Sequence, residues 1–373
     1  MPQAMGLITT NQIINLGKLT ADRPIAAVPF AARYRLLDFA LSNLVNSDVR
    51  TVGVITPYHY RSIMDHLGAG REWFLDRKVG GLFILPGSNY GMKSMNAKFL
   101  LKDLLKNAAY IKHGRERDVI VSSANQVFTL NYRSALEAHE ENGSDLTMFY
   151  REEERALRGR RDSSFFIRVG EGDQVQALVP AAALTARETR RLFLDTFIIR
   201  RELLLDILEW YKTMEYSDLQ DIIAENANTW RMRAVPFRGY LKRVETIEDY
   251  FSGSMDFLRA DVRRELFGKE NRIHTKVKDN MPAYYGVHSS VTNSLVANGC
   301  RIEGTVENSI LFRKVSVAKG AIVRGSVIMQ GCVIDRDSLV EHVVCDKFAR
   351  VERGALLKGR LSAPSIVGKE CVV

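Results

Sequence analysis

Two periodicities, one after the other, predict a chain in two parts: an α/β domain on a mixed, mostly parallel sheet, then a left-handed parallel β-helix of hexapeptide repeats. Over residues 1–260 short β-branched runs alternate with longer mixed stretches, the order strand, helix, strand that builds a parallel sheet. Beyond residue 285, Ile322, Ile328, Ile334 and Val340 recur every six residues, as do Ala321, Val327, Val333 and Leu339, with glycine or another small residue between. A period of six suits neither an α-helix nor an amphipathic strand. It suits one side of a triangular coil, with one large apolar side chain inward and a small residue at the corner.

Within the first part, strands are expected over 5–8, 51–56, 119–122, 145–150, 165–169, 175–179 and 193–199, and helices over 35–46, 60–67, 96–111, 132–141 and 201–211. In 96–111 the apolar residues Phe99, Leu100, Leu104, Ala108 and Ile111 carry the helical spacing. Asn131 is a candidate cap for the helix after it. Residues 261–285, charge-rich and holding Asn280-Met281-Pro282, read as a linker, and 286–373 as the β-helix, with about four coils over 287–361.

With 373 residues, 46% hydrophobic and 26% charged, the chain is large enough to bury about three quarters of its extended surface. Disordered, collagenous and small disulfide-stapled classes are excluded. Lys+Arg 53 against Asp+Glu 44 gives +9, an excess that suits anionic ligands. The densest basic stretch, 230–243, carries Arg231, Arg233, Arg238, Lys242 and Arg243 without an aromatic stacking ladder, so no nucleic acid partner is expected. Cys300, Cys332, Cys345 and Cys371 are widely spaced and form no C-x-x-C, which fits a reducing cytoplasm rather than a disulfide framework or a zinc site. No signal peptide or membrane span is expected.

Four blocks then carry a resemblance: AAVPFAARYRLLDFALSNLVNSDVRTVGVIT (26–56), GREWFLDR (70–77), VPFRGYLKRVETIEDYFSGSMDFL (235–258) and GTVENSILFRKVSVAKGAIVRGSVIM (304–329). In this order they resemble the bacterial glucose-1-phosphate adenylyltransferases. The resemblance implies a Rossmann-like nucleotidyltransferase domain before a left-handed β-helix. It also implies a pathway role in making ADP-glucose for glycogen from ATP and glucose 1-phosphate, in tetramers regulated by small metabolites.

The resemblance fails where the family's chemistry lies. The family's glycine-rich G-G-x-G-[ST]-R-L loop corresponds to ITTNQIINLGKLT (8–20), with Thr9, Thr10 and Gln12 for glycines and Asn15 for the arginine. Threonine resists the backbone geometry that glycine permits and fills space a triphosphate needs. In A-K-P-A-V-P-F, Ile25 stands for the phosphate-binding lysine and Ala26 for its proline. G-T-A-[DN]-A becomes KSMNA (93–97), where Met95 would crowd a base. S-G-D-H becomes SANQ (123–126) and W-K-D-V-G-T becomes LKRVET (241–246), so Asn125 and Arg243 replace both metal-binding aspartates. A neutral amide is a poor Mg²⁺ anchor, and arginine repels the ion. E-K-P has no clear counterpart near LVPAAAL (178–184), and S-M-G-I-Y-V-F reads FLDTFII (193–199).

The chain is therefore most similar to the GlgD type of this family in Gram-positive bacteria, a non-catalytic paralogue that accompanies a catalytic GlgC-type subunit. No catalytic, cofactor-binding or metal-binding residue is assigned to it; Mg²⁺ and ATP are left to the partner. The expected role is a regulatory subunit, inactive or nearly so alone, in a hetero-tetramer, with a homo-oligomer possible in isolation. A weakly active Mg²⁺-dependent adenylyltransferase and a non-enzymatic scaffold are the alternatives. Arg23, Arg33 and Arg35 are the candidates for binding an anionic metabolite effector or contacting another subunit, with fold-locking ion pairs as the competing role.

Overall fold

The computed structural model describes residues 4–56, 59–88, 97–153, 164–185, 189–268 and 271–373. In chain order the first part comprises β1 (Ala4–Thr9), β2 (Pro29–Phe30), β3 (Tyr34–Arg35), α1 (Leu36–Asn46), β4 (Thr51–Thr56), α2 (Arg61–Leu67), β5 (Gly81–Pro86), α3 (Leu101–Lys106), α4 (Ala108–His113), β6 (Asp118–Ser123), β7 (Gln126–Val127), α5 (Arg133–Glu141), β8 (Leu146–Glu153), β9 (Phe165–Val169), β10 (Val175–Pro180), β11 (Arg190–Arg200), α6 (Arg201–Trp210), α7 (Leu219–Glu225), β12 (Met232–Pro236), β13 (Lys242–Arg243), α8 (Ile247–Asp256) and α9 (Ala260–Leu266).

A nine-stranded sheet runs in the order β10-β9-β11-β6-β1-β4-β5, with β8 on β11 and β12 on β8. β6, β1, β4 and β5 are parallel, and β11 is antiparallel to β6 and β8. β1 is buried along its whole length because strands and helices enclose it on both sides, which is why its sequence does not alternate. The chain leaves β1 for β4 on one side and reaches β6 on the other. The carboxyl ends of β1 and β6 therefore flank the switch point where an open α/β sheet binds its ligand.

The expected helix over 96–111 is instead two helices broken at Asn107, and Asn96 lies outside the described residues. The Asn107 amide donates to the Asp103 carbonyl at 2.7 Å and to the Pro86 carbonyl at 2.9 Å, a side-chain competition with the backbone that the apolar spacing does not reveal. Asn131 accepts from the Arg133 N–H at 3.0 Å at the start of α5. The spacing along the chain does not foretell β5, β12, α7, α8 or α9. α8 opens with a reciprocal capping box between Thr246 and Asp249, and α7 is capped by Asp218. The 261–285 stretch is helical to Leu266, then lies against the domain: the His274 N–H donates to Ser42 Oγ at 2.8 Å and Ile273 is buried.

The second part is a triangular coil of three five-stranded parallel sheets. Thr305, Ile322, Leu339 and Leu356 stack in one column, so a full coil takes 17 residues there rather than three equal sides of six. Val306, Leu311, Val317, Val323, Ile328, Ile334, Val340, Cys345 and Val351 point inward and form the coil's core. The strict six-residue frame thus fails at Ile322, which faces out while Val323 faces in. One outer face, with Ile310, Val327 and Val344, packs against Phe30, Phe39 and Phe257 of the α/β domain in a shared core.

Candidate functional site

At the carboxyl end of β1 the two threonines continue the sheet instead of opening a loop. Thr10 donates from its hydroxyl at 2.7 Å and from its N–H at 3.1 Å to the Ile55 carbonyl, and Thr9 Oγ1 donates to the Lys98 carbonyl at 3.1 Å. Both are buried. Asn11 reaches Asp103, and the exposed Asn15 turns back to accept from the Gly17 N–H at 2.8 Å. Ile25 and Ala26 are buried, Ile25 in the core shared with the β-helix. Thr9, Thr10 and Asn11 are thus spent on contacts within the protein, while Gln12 Nε2 is buried without a hydrogen-bond partner among the described residues. Lys93 to Asn96 of the KSMNA segment lie outside the described residues.

Beside these threonines, the positions of the family's two metal carboxylates sit together, because β7 and β13 pair with Gln126 opposite Arg243. Asn125 is held by Ser123, whose hydroxyl donates to Oδ1 at 3.1 Å, and the Val244 N–H donates to the Asn125 carbonyl at 2.9 Å. The Arg243 guanidinium points inward and lies 3.1 Å from Asp195; it also donates to Ser164 Oγ at 2.6 Å and to the Phe193 carbonyl at 2.7 Å. Lys98 Nζ lies 2.7 Å from the same carboxylate group, which also accepts from Gln220 at 2.9 Å. Asp195, fully buried, therefore receives two cations and the amides of Gln220 and Gln126, the latter at 3.3 Å.

Asp195 stands at the glycine of the family's S-M-G-I-Y-V-F strand and has φ +51°, the left-handed region that favours glycine. The register of β11 against β8 shifts at this point, between Phe193 and Phe197, which is what turns the carboxylate into the cleft. Burial pushes the Asp195 carboxyl up, but Arg243 and Lys98 outweigh it and hold it below the usual carboxylate range. A divalent cation does not fit here: the carboxylate is already matched by two fixed cations, and the ion would meet Arg243 at close range. Among the described residues no group of three or more His, Cys, Asp or Glu side chains is placed to hold a metal.

The three arginines singled out by sequence separate. Arg23 is buried, pairs with the buried Asp346 of the β-helix and donates from Nε to the Leu19 carbonyl at 2.8 Å, so it ties the two domains together. Arg33 precedes β3 and Arg35 ends it, and both open into a cavity of about 340 Å³ between the domains, which is also lined by Lys276, Lys278, Arg313 and Lys347, with Asp65 as a lining carboxylate. The last four basic residues come from the linker and from two coils, and nothing in their sequence spacing marks them as partners. Arg35 is fixed by its N–H to Asp38 at 3.0 Å and by its guanidinium to the Ser62 carbonyl.

The crowding of cations shows in their acidities. Burial, reinforced by Arg35 and Arg23, pushes Lys347 down to about 8, and burial with Arg313 and Lys276 lowers Lys278. Burial brings Arg35 down to about 10. His66, 2.5 Å from Asp38, is lowered by burial despite that carboxylate. Among the described residues these cations outnumber the carboxylates around them, and such an excess is compensated best by a multiply charged anion. The basic stretch 230–243 has another use: Arg231 pairs with Asp145, Arg233 bonds Asn142 and the Gly172 carbonyl, and Lys242 reaches Ser252.

Two family models match, "Nucleotidyl transferase" over residues 15–158 and "GlmU-like, C-terminal hexapeptide" over 281–358. The chain is 32% identical over 371 residues to the glycogen biosynthesis protein GlgD of Bacillus subtilis (strain 168), covering 99% of this chain and 97% of that one. It is 36% identical over 320 residues to the GlgD of Geobacillus stearothermophilus, covering 86% and 82%. A glucose-1-phosphate adenylyltransferase of Clostridium botulinum (strain Alaska E43 / Type E3) is 32% identical over 334 residues, covering 86% and 83%. Among the described residues no helix is long and apolar enough to cross a membrane.

Proposed function

Because the chain belongs to the GlgD family of glycogen-biosynthesis proteins, we propose that it is a regulatory, largely non-catalytic subunit in ADP-glucose synthesis, working in the cytoplasm in a hetero-oligomer with a catalytic GlgC-type subunit. The observation that carries this reading is Arg243, which occupies a metal-ligand position and, with Lys98, neutralises the carboxylate turned into the cleft. A cleft closed by its own ion cluster has no place for the Mg²⁺ and triphosphate that the reaction needs. The surrounding fold is nevertheless intact, which supports association with a partner built on the same fold.

A subunit without turnover acts by preferring one conformation of its neighbour, and about 1–3 kcal/mol of such coupling changes an apparent affinity noticeably. The interdomain cavity supplies the means: an anionic metabolite gripped by Arg33, Arg35 and Lys347 would fix the α/β domain against the β-helix. Titration of the chain into a fixed amount of its catalytic partner, following ADP-glucose, tests the role. No rate from the chain alone and a saturable change on mixing are expected. A Mg²⁺-dependent rate from the isolated chain that requires glucose 1-phosphate would overturn it. Replacing Arg33 and Arg35 together by alanine and titrating phosphosugars by calorimetry tests the cavity, with loss of the binding heat as the expected result.

A further inference from the structure

The β-helix leaves one face uncovered that carries two columns in register. On four of the five strands of this sheet, Thr305–Glu307, Ile322–Arg324, Leu339–Glu341 and Leu356–Lys358, the central residue points inward, so the flanking two point out. The first strand, Ser290–Thr292, adds only the uncharged Ser290 and Thr292 at the end of the two columns and lies outside the contact. The first column is Thr305, Ile322, Leu339, Leu356, ending on a leucine 71% exposed. The second is Glu307, Arg324, Glu341, Lys358, alternating in sign over these four rungs. Arg324 lies 2.8 Å from Glu307 and 3.6 Å from Glu341 along this ladder. Ile322 and Leu339, half-buried, belong neither to the coil's core nor to the core shared with the α/β domain.

We infer that this face docks a second copy of the same chain about a two-fold axis that runs along the strands between the Arg324 and Glu341 rungs. Such an axis reverses the order of the rungs and keeps each column opposite itself. Glu307 then meets Lys358 of the other copy and Arg324 meets its Glu341, while Ile322 meets Leu339 and Thr305 meets Leu356. Every charge finds its opposite and the apolar column is covered along its length. An axis along the coil instead sets Ile322 against Arg324 and Leu339 against Glu341, which buries charge on apolar surface. The alternation of sign is what makes the face self-complementary when reversed, the property an isologous contact requires.

Four rungs at roughly 4.8 Å spacing cover less than the roughly 800 Å² per partner of a standard interface, so the contact is weak and sensitive to salt. Sedimentation velocity on the full chain tests it. A concentration-dependent shift to dimer that high salt reverses is expected. Arg324→Glu sets a new carboxylate against Glu341 across the axis, and Glu341→Arg sets a new guanidinium against Arg324. Each variant alone should therefore associate at least about tenfold more weakly. Mixed one to one, the new carboxylate of the first variant meets the new guanidinium of the second. The unchanged Glu341 of the first likewise meets the unchanged Arg324 of the second, and the dimer should return. Circular dichroism melts establish that both variants are folded. A parent chain that stays monomeric, single variants that dimerise as the parent does, or a mixture of folded variants that stays monomeric would each overturn the inference.

Discussion

Arg243 and Asp195 face each other at 3.1 Å across the mouth of the sheet, one on β13 and the other on the left-handed bulge of β11. Where the family holds a metal between carboxylates, this chain holds a carboxylate between Arg243 and Lys98. The exchange reverses the polarity of the site while leaving its scaffold in place. It also makes the closed cleft self-sufficient, because the charge an ion would have balanced is balanced by side chains fixed in the core.

Removing the shared carboxylate should therefore cost more than removing an ordinary ion pair. Asp195→Ala leaves Lys98 and Arg243 buried without their anion, and a loss of about 3–5 kcal/mol is expected in urea unfolding. Asp195→Gly suffers the same loss of charge but relaxes the left-handed backbone, so it should be less destabilised than the alanine variant by roughly 1 kcal/mol. The carboxyl is held below its unfolded value, so its contribution is complete above the ordinary carboxylate range. It should disappear as pH falls through the depressed folded value.

A second expectation concerns the ligands of the family reaction. With Thr9 and Thr10 bonded into the sheet and Arg243 at the metal position, Mg²⁺ and ATP together should leave the melting temperature unchanged at millimolar concentration. A thermal-shift titration reads this directly. An upward shift that requires both components would mean that the cleft opens to a nucleotide.

The turn that delivers Arg33 and Arg35 to the interdomain cavity is strained. Ala31 and Ala32 have φ of +46° and +65°, in a tight connection between β2 and β3 closed by the Arg33 N–H to the Ala31 carbonyl at 2.8 Å. Glycine adopts that backbone without the Cβ penalty of about 1–2 kcal/mol. Ala31→Gly and Ala32→Gly should each stabilise the chain by up to about 1 kcal/mol after the entropy of the added freedom is subtracted. Chemical denaturation measures the sign; a loss of stability would show that the methyl groups, both buried, contribute more by packing than the turn costs.

What the sequence makes legible is the local pattern, and what it hides is convergence. Strands 51–56 and 165–169 match the structure to the residue. The six-residue spacing identifies the coil, yet it misplaces Ile322, since one side of each turn is a residue shorter and the inward frame moves to Val323. Asn125 and Arg243 stand out because they replace specific residues in motifs whose chemistry is plain. Asp195 does not, although an aspartate inside an otherwise apolar strand is a signal that something cationic is buried beside it. Lys276, Lys278, Arg313 and Lys347 meet Arg33 and Arg35 only through the packing of the two domains, and no spacing along the chain foretells that.

The same packing gives the cavity a pH dependence whose sign follows from Lys347. Burial first, then Arg35 and Arg23, bring its folded value to about 8, with Asp346 opposing, against roughly 10.4 for an unfolded lysine. Between these values the unfolded chain binds more protons, so the stability contributed by Lys347 rises with pH through that window. An anion in the cavity acts in the opposite sense, since it favours the charged ammonium and takes up a proton on binding above about pH 8. Sulfate, whose charge is constant over this range, should bind about tenfold more weakly at about pH 9 than at about pH 7, as Lys347 loses its charge. His66 does not disturb the window, because burial keeps it neutral there, and Arg35 titrates higher, at about 10. Lys278, lowered by burial, Arg313 and Lys276, loses charge in the same direction and adds to the weakening. Calorimetry at both pH values, in buffers of different ionisation enthalpy, reads the affinity and the proton together. Lys347→Met should lower the affinity at the lower pH and flatten the dependence; an affinity indifferent to pH in the parent chain would place the anion away from Lys347.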